Sequence, residues 1–203
     1  MHHRECTAEI CDLVNRIHGE LGVGCARLDL GGGFRGGDFV YLASPGDGSD
    51  GGLHPLPDID DYVDAIVGTI ERELPRDDRP ELIFETGGYQ VADAALFLTT
   101  VVETKPEHGP QARDVVTVDG SMQMFTSKGS MRVASEIIVA DRALASPTEG
   151  LVDVVGQTCV YDALAEAIHL PSIEPGDVLA LLNHGAYCDT TGTQMNSFPR
   201  PAT

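Results

Sequence analysis

Leu28-Asp29-Leu30-Gly31-Gly32-Gly33-Phe34 and Glu81-Leu82-Ile83-Phe84-Glu85-Thr86-Gly87-Gly88 decide the fold. Each is a short apolar run that stops in glycines, the pattern of a buried strand entering a tight turn. Between them lies an amphipathic helix from Asp58 to Leu74, with Ile59, Tyr62, Val63, Ile66, Val67 and Ile70 on one face and Pro75 as its stop. Ahead of the first run, Ile10, Leu13, Val14, Ile17 and Leu21 recur at helical spacing, with Thr7 as N-cap and Gly22 and Gly24 at the end. Strand, glycine turn, helix, strand, glycine turn is the βα rhythm of a parallel sheet or barrel. Two such strands are too few to close a barrel. The segment from Arg35 to Pro57 is rich in Gly, Pro, Ser and Asp and lacks periodicity, so it is expected to be one long loop.

After Val91 the pattern changes. Leu96 to Glu103, Val115 to Val118, Met131 to Val139, Leu151 to Val155 and Val178 to Leu182 are β-rich runs separated by turn residues. Ala163 to Ile168 is expected to be a helix among them. The fold class is therefore α/β followed by β, with residues 1–92 as the α/β part and 93–203 as a β-sheet or β-barrel domain. The chain changes character near residues 88 to 95.

Composition removes several functions. Of 203 residues, 32 are Asp or Glu against 13 Lys or Arg, a net charge of -19. Such a field repels phosphate backbones and argues against a nucleic-acid partner. No run approaches the ~20 apolar residues of a membrane span, and Met1 to Cys6 lacks the apolar stretch of a secretory leader. The cysteines at 6, 11, 25, 159 and 188 contain no CxxC pair, so no metal site is expected and reduced thiols in the cytoplasm are.

Three features could carry chemistry. Gly31, Gly32 and Gly33 follow a strand, and bare glycines let backbone amides approach an anion closely, although such a turn can be only a turn. Glu85 stands at the C-terminal end of the second strand, the edge where catalytic groups gather in β/α barrels, or is a solvated carboxylate. Cys159, in Gly156-Gln157-Thr158-Cys159-Val160-Tyr161-Asp162, is a nucleophile, a proton donor or a small core residue. Tyr187, beside Gly185 and Ala186, either faces a pocket or packs.

Taken in order, Leu28 to Phe34, Glu85-Thr86-Gly87-Gly88-Tyr89, Val155 to Cys159, Glu174-Pro175-Gly176-Asp177, Gly185-Ala186-Tyr187 and Asn196-Ser197-Phe198-Pro199-Arg200-Pro201 resemble the ornithine/diaminopimelate/arginine decarboxylase family. These enzymes use pyridoxal 5'-phosphate and have the alanine-racemase-like fold. The resemblance runs from about residue 20 to the end. It implies the C-terminal half of that family: the last two strands of a (β/α)8 barrel, then the β-domain. It further implies that Gly31, Gly32, Gly33 and Tyr187 bind the cofactor phosphate and that Glu85 pairs with the pyridine nitrogen. A carboxylate there keeps the nitrogen protonated, so the ring accepts the electrons left when carbon dioxide departs. Cys159 would protonate the carbanion in the neighbouring subunit of a homodimer, with Asp162 close by as a substrate contact. The implied substrate is a small basic or diamino acid.

The chain also departs from the family pattern. Thr86 and Gly88 stand where the motif Glu-Pro-Gly-Arg has its proline and its phosphate-binding arginine. A lost charge-assisted bond costs roughly 1.5–3 kcal/mol, or roughly tenfold to a hundredfold in affinity. Val160 follows Cys159 where diamine-type members carry an aspartate. Lys105 and Lys128 are the only lysines, and neither is placed like a buried Schiff-base lysine; Lys128 could instead meet an anionic substrate group. The family's lysine belongs to its N-terminal half, so cofactor binding by this chain alone is expected to be weak or absent. Two functions follow: part of a decarboxylase completed by a separate lysine-bearing polypeptide, or a non-catalytic truncated homologue that binds or regulates a decarboxylase subunit. An incomplete product with no independent role is the third.

Overall fold

Helix α1 spans His2–Leu21 and so begins more than a turn ahead of the expected Thr7 cap. Thr7 instead lies within the helix, its hydroxyl donating back to the His3 carbonyl at 2.7 Å. That bond satisfies the side chain without ending the helix. Gly22, at φ 66°, closes it by donating its amide to the His18 carbonyl at 2.8 Å. The computed structural model describes residues 2–36, 39–42, 53–107, 113–125, 133–148, 150–160 and 162–202. Lys128 and its turn lie outside the described residues.

The chain forms two compact units, Met1–Arg35 with Pro57–Gly88, and Gly36–Leu56 with Tyr89–Thr203. A division at residue 92 differs from this in leaving 36–56 and 89–92 with the first part. In the first unit, β1 (Arg27–Asp29) pairs in parallel with β4 (Glu81–Ile83), Leu28 opposite Leu82. Helix α2 (Ile59–Glu73) starts in a capping box: the Asp61 amide donates to Asp58 at 2.9 Å and the Asp58 amide to Asp61 at 3.2 Å. Tyr62, Ala65, Ile66, Thr69 and Ile70 form its buried face. Ile59 and Val63, expected on that face, are exposed, so the apolar stripe is narrower than the sequence suggests.

In the second unit a six-stranded mixed sheet curls around an apolar core. Its strands are β5 (Phe97–Lys105), β6 (Asp114–Val118), β8 (Ile137–Val139), β9 (Val152–Val155), β10 (Ala163–Ile168) and β11 (Val178–Leu181), in the spatial order β10-β9-β6-β5-β11-β8. Among the described residues of this sheet only β6 and β9 pair in parallel. Phe97, Val101, Val116, Val118, Val139, Val154, Leu164, Ile168, Leu179 and Leu181 fill the core. Alternation along β5 turns Phe97, Thr99 and Val101 inward and leaves Leu98 and Val102 exposed. A three-stranded sheet, β3 (Leu53–Pro55), β2 (Phe39–Leu42) and β7 (Val133–Ser135), completes the unit.

Two expectations are corrected. Residues 163–168 form strand β10, not a helix. Ala and Glu favour helices by a few tenths of a kcal/mol each, but pairing with β9 and burial of Ala163, Leu164, Ala165 and Ile168 outweigh that preference. A bulge puts Ala167 at φ 53°, its amide donating to Asp153 at 2.8 Å. The segment from Arg35 to Pro57 is not a single loop either, because it carries β2 and β3. Their brevity hides them among glycines and prolines.

The turn before β11 is held by Asp177. Its carboxylate accepts the Glu174 amide at 2.8 Å and an ion pair from the Arg142 guanidinium. The Glu174 amide, with Arg142 adding to it, holds the Asp177 carboxyl below the ordinary carboxylate range. The folded state thus binds this proton more weakly than the unfolded chain does. The contribution is complete above the unfolded value, about pH 4, and is lost as pH falls through the lower folded value. Thermal melts from pH 7 to pH 2.5 are expected to show Asp177→Asn destabilised at pH 7 and converging with the unsubstituted protein at low pH.

Candidate functional site

The parallel ladder of β1 and β4 continues past both strands. The Leu30 amide donates to the Ile83 carbonyl at 3.1 Å, and the Glu85 amide donates to the Gly31 carbonyl at 2.8 Å. The two candidate groups from the sequence, the glycine turn and Glu85, are therefore hydrogen-bonded neighbours. Gly31 and Gly33 adopt φ 67° and 86°, which only glycine enters without strain. Gly32 is required for a different reason, since a Cβ there would stand 2.6 Å from the Glu85 carbonyl oxygen. The Gly31 amide is taken by Asp29 at 2.9 Å. Among the described residues the Gly32 and Gly33 amides make no backbone hydrogen bond.

An aromatic cluster supports this turn from behind. Phe34 stacks on His3 at 5.4 Å between ring centroids and meets Tyr62 and Phe84 edge-on at 5.0 and 5.9 Å. The Tyr62 hydroxyl accepts the Arg35 amide at 3.2 Å. Both ends of the glycine turn are therefore anchored, the first by Asp29 and the second by the helix α2 side chain. Backbone amides, a strand-end carboxylate and no bulky side chain at Gly31–Gly33 suit a phosphate group beside a positively charged ring.

In the sheet unit Tyr187 adopts φ 62°, ψ -5°, at the start of a short helix α4 (Cys188–Thr191), and is exposed. Helix α3 (Gly87–Val91) precedes β5 in sequence. Gly185 presses against the chain at Val91, where any Cβ would overlap the carbonyl oxygen at 1.8 Å, and its amide donates to Ala92 at 2.8 Å. This close approach positions Tyr187, and the sequence shows it only as a Gly-Ala pair. Lys105 is exposed at the end of β5, a placement unlike that of a buried imine-forming amine.

Cys159 is exposed in the segment between β9 and β10. The Asn196 side-chain amide donates to its sulfur at 3.8 Å, a partner that the Asn196-to-Pro201 motif contained without revealing. Asp162, expected as a substrate contact, is buried, and its oxygens accept hydrogen bonds from Ser121, Met122 and Thr158. Asp119 braces the neighbouring turn. Burial works to raise its carboxyl, but the Thr100 amide at 2.7 Å and the Thr99 hydroxyl at 2.8 Å outweigh that and leave it below the ordinary range. No group of His, Cys, Asp and Glu among the described residues has metal-binding geometry.

Comparison with known proteins identifies the family. Residues 10–185 match the family model described as pyridoxal-dependent decarboxylase, C-terminal sheet domain. Diaminopimelate decarboxylase of Methanothermobacter thermautotrophicus is 34% identical over 196 residues, covering 95% of this chain and 42% of the relative. The Bacillus subtilis enzyme of the same name is 32% identical over 178 residues, covering 86% and 37%. The crystal structure of diaminopimelate decarboxylase from M. jannaschi superposes with a TM-score of 0.64 at 24% identity, over 96% of this chain and 41% of that one. The chain thus spans about two fifths of the length of the curated relatives it matches.

Gly32→Ala tests the abutment of turn and strand end. The methyl group must displace the Glu85 carbonyl, so amide exchange at Glu85 is expected to quicken by at least about tenfold. Exchange in β5 and β11 is expected to stay unchanged, as read by hydrogen–deuterium exchange mass spectrometry.

Proposed function

Because the chain belongs to the pyridoxal-dependent decarboxylase family, whose C-terminal sheet domain it carries, we propose that it forms the cofactor-anchoring and proton-donating part of an amino-acid decarboxylase. The observation that carries this reading is the hydrogen-bonded pairing of the Gly31 carbonyl with the Glu85 amide, which makes the glycine turn and Glu85 neighbours. Pyridoxal phosphate, when bound, supplies the sink for the electrons released as carbon dioxide leaves. The Gly32 and Gly33 amides would hold its phosphate, and the family resemblance implies the Tyr187 hydroxyl as a further donor. Glu85 keeps a proton on the ring nitrogen by charge attraction. Cys159 delivers a proton to the carbon that has lost its carboxylate, in the site of a neighbouring subunit.

On this reading residues 1–92 are the last two strands of a (β/α)8 barrel and residues 93–203 are the β-domain. A second polypeptide, or a further part of the protein, provides the lysine. The substrate is a basic or diamino acid, as the names of the relatives suggest, although Val160 removes one expected partner for a distal amine. The protein acts as a homodimer or with a lysine-bearing half, in the cytoplasm, where its five cysteines stay as free thiols. Its net charge of -19 argues against a nucleic-acid partner. The alternative, a non-catalytic homologue that binds or regulates a decarboxylase subunit, draws its support from Gly88 in the arginine position.

Mixing the chain with the lysine-bearing N-terminal half of a diaminopimelate decarboxylase decides between them. The expected result is a visible absorbance band of bound pyridoxal phosphate and release of labelled carbon dioxide from diaminopimelate. Cys159→Ala is expected to slow turnover by about a hundredfold or more, and Glu85→Gln to reduce it as well. A mixed dimer with a full-length relative, but neither band nor carbon dioxide with the half, establishes the non-catalytic reading.

A further inference from the structure

We infer that Asp162 is a positioning residue that fixes the segment carrying Cys159, and that it makes no contact with substrate. An ionised carboxylate offers about four acceptor sites. Four donors fill them here: the Ser121 hydroxyl, 3.0 and 2.9 Å from the two oxygens, the Met122 amide at 2.6 Å, the Thr158 amide at 2.9 Å and the Thr158 hydroxyl at 2.7 Å. The residue is 6% exposed, so a substrate amine would meet neither a free lone pair nor an open path.

The direction of these bonds defines the role. Two come from Thr158, the residue before Cys159, and two from the turn at Ser121 and Met122 on another segment of the same unit. Asp162 thus ties the Cys159 segment to a fixed support. Gly156 opens that segment with its amide on the Asp162 carbonyl at 2.7 Å, and a Cβ there would stand 2.4 Å from the carboxylate. The Gln157 side chain donates to the Asp119 carbonyl. On the far side, the Asn196 amide meets the sulfur at 3.8 Å from a backbone at φ 55°. Cys159 is left exposed next to Thr158, where the bonds to the Asp162 carboxylate end.

The catalytic consequence rests on the reading of Cys159 as proton donor, but the geometry can be tested without it. Iodoacetamide labelling of the 203-residue chain at one pH, resolved by peptide mass spectrometry, reads the Cys159 rate, while buried Cys11 and Cys188 report loss of fold. Asp162→Asn leaves too few acceptor sites for four donors and is expected to speed Cys159 labelling by at least about threefold, with Cys188 still protected. Thr158→Val, which removes one donor at the Cys159 side, is expected to act in the same direction. If Asp162→Asn exposes Cys188, Thr158→Val alone decides. Unchanged Cys159 labelling in the variant that keeps Cys188 protected overturns the inference. In the assembled decarboxylase, Asp162→Asn is expected to lower kcat with KM within about twofold. A raised KM with unchanged kcat would identify a substrate contact and overturn it too. A failure of carbon dioxide release leaves the labelling result standing, so the two readings fail separately.

Discussion

The sheet unit depends on how Asp119 is tied to β5. Thr99 points into the core, where a lone hydroxyl would cost about 1–3 kcal/mol if left without a partner. It donates to Asp119 at 2.8 Å and accepts the Gly120 amide at 2.8 Å. Gly120 has room only for hydrogen, since a Cβ would stand 2.7 Å from the Thr99 hydroxyl and 2.8 Å from the Phe97 ring. This knot fixes where the chain goes after β6. The Ser121–Met124 turn, the Cys159 segment and the segment from Thr193 are all seated on it in succession, the last through the Thr193 amide on the Gln123 carbonyl at 2.7 Å. A core threonine thereby determines the place of an exposed thiol.

The parts of the fold that repeat over many residues were legible in the sequence. Helix α2, with its capping aspartate and one apolar face, and the alternating β5 are periodic enough to survive their surroundings. Residues 163–168 were not legible because Ala-Leu-Ala-Glu-Ala-Ile has no strand alternation, and only its neighbours in the sheet decide its conformation. Phe39 to Leu42 is a β-prone run, but four residues between glycine-rich flanks carry too little pattern to stand out. In the candidate site, the glycines and Glu85 could be read from strand-end position. Asp162 could be read only as a carboxylate near Cys159, because saturation of its oxygens depends on Ser121, which lies 41 residues away.

The two units present different means of fixing functional groups. The first joins backbone to backbone at the ends of two parallel strands, with Gly32 where a side chain would intrude and with Asp29 and Tyr62 anchoring the turn. The second uses side chains to hold backbone, with Asp119, Asp153, Asp162 and Asp177 each accepting an amide. Part of the acidic excess is therefore structural, and its charge is balanced locally by N–H donors more often than by cations.

Among the described residues five non-glycine residues have positive φ, and four of them, Asn183, Tyr187, Asn196 and Ser197, fall in the last stretch of the chain. Each such conformation costs on the order of 1 kcal/mol against the ordinary backbone, less for asparagine. The tail is thus held in place by its anchors at Ala92, Ala95 and Gln123 and against its own local preference. Cut from those anchors, it would relax into another path. The order of the tail is therefore borrowed from the rest of the sheet unit, through the amides of His184, Gly185 and Thr193.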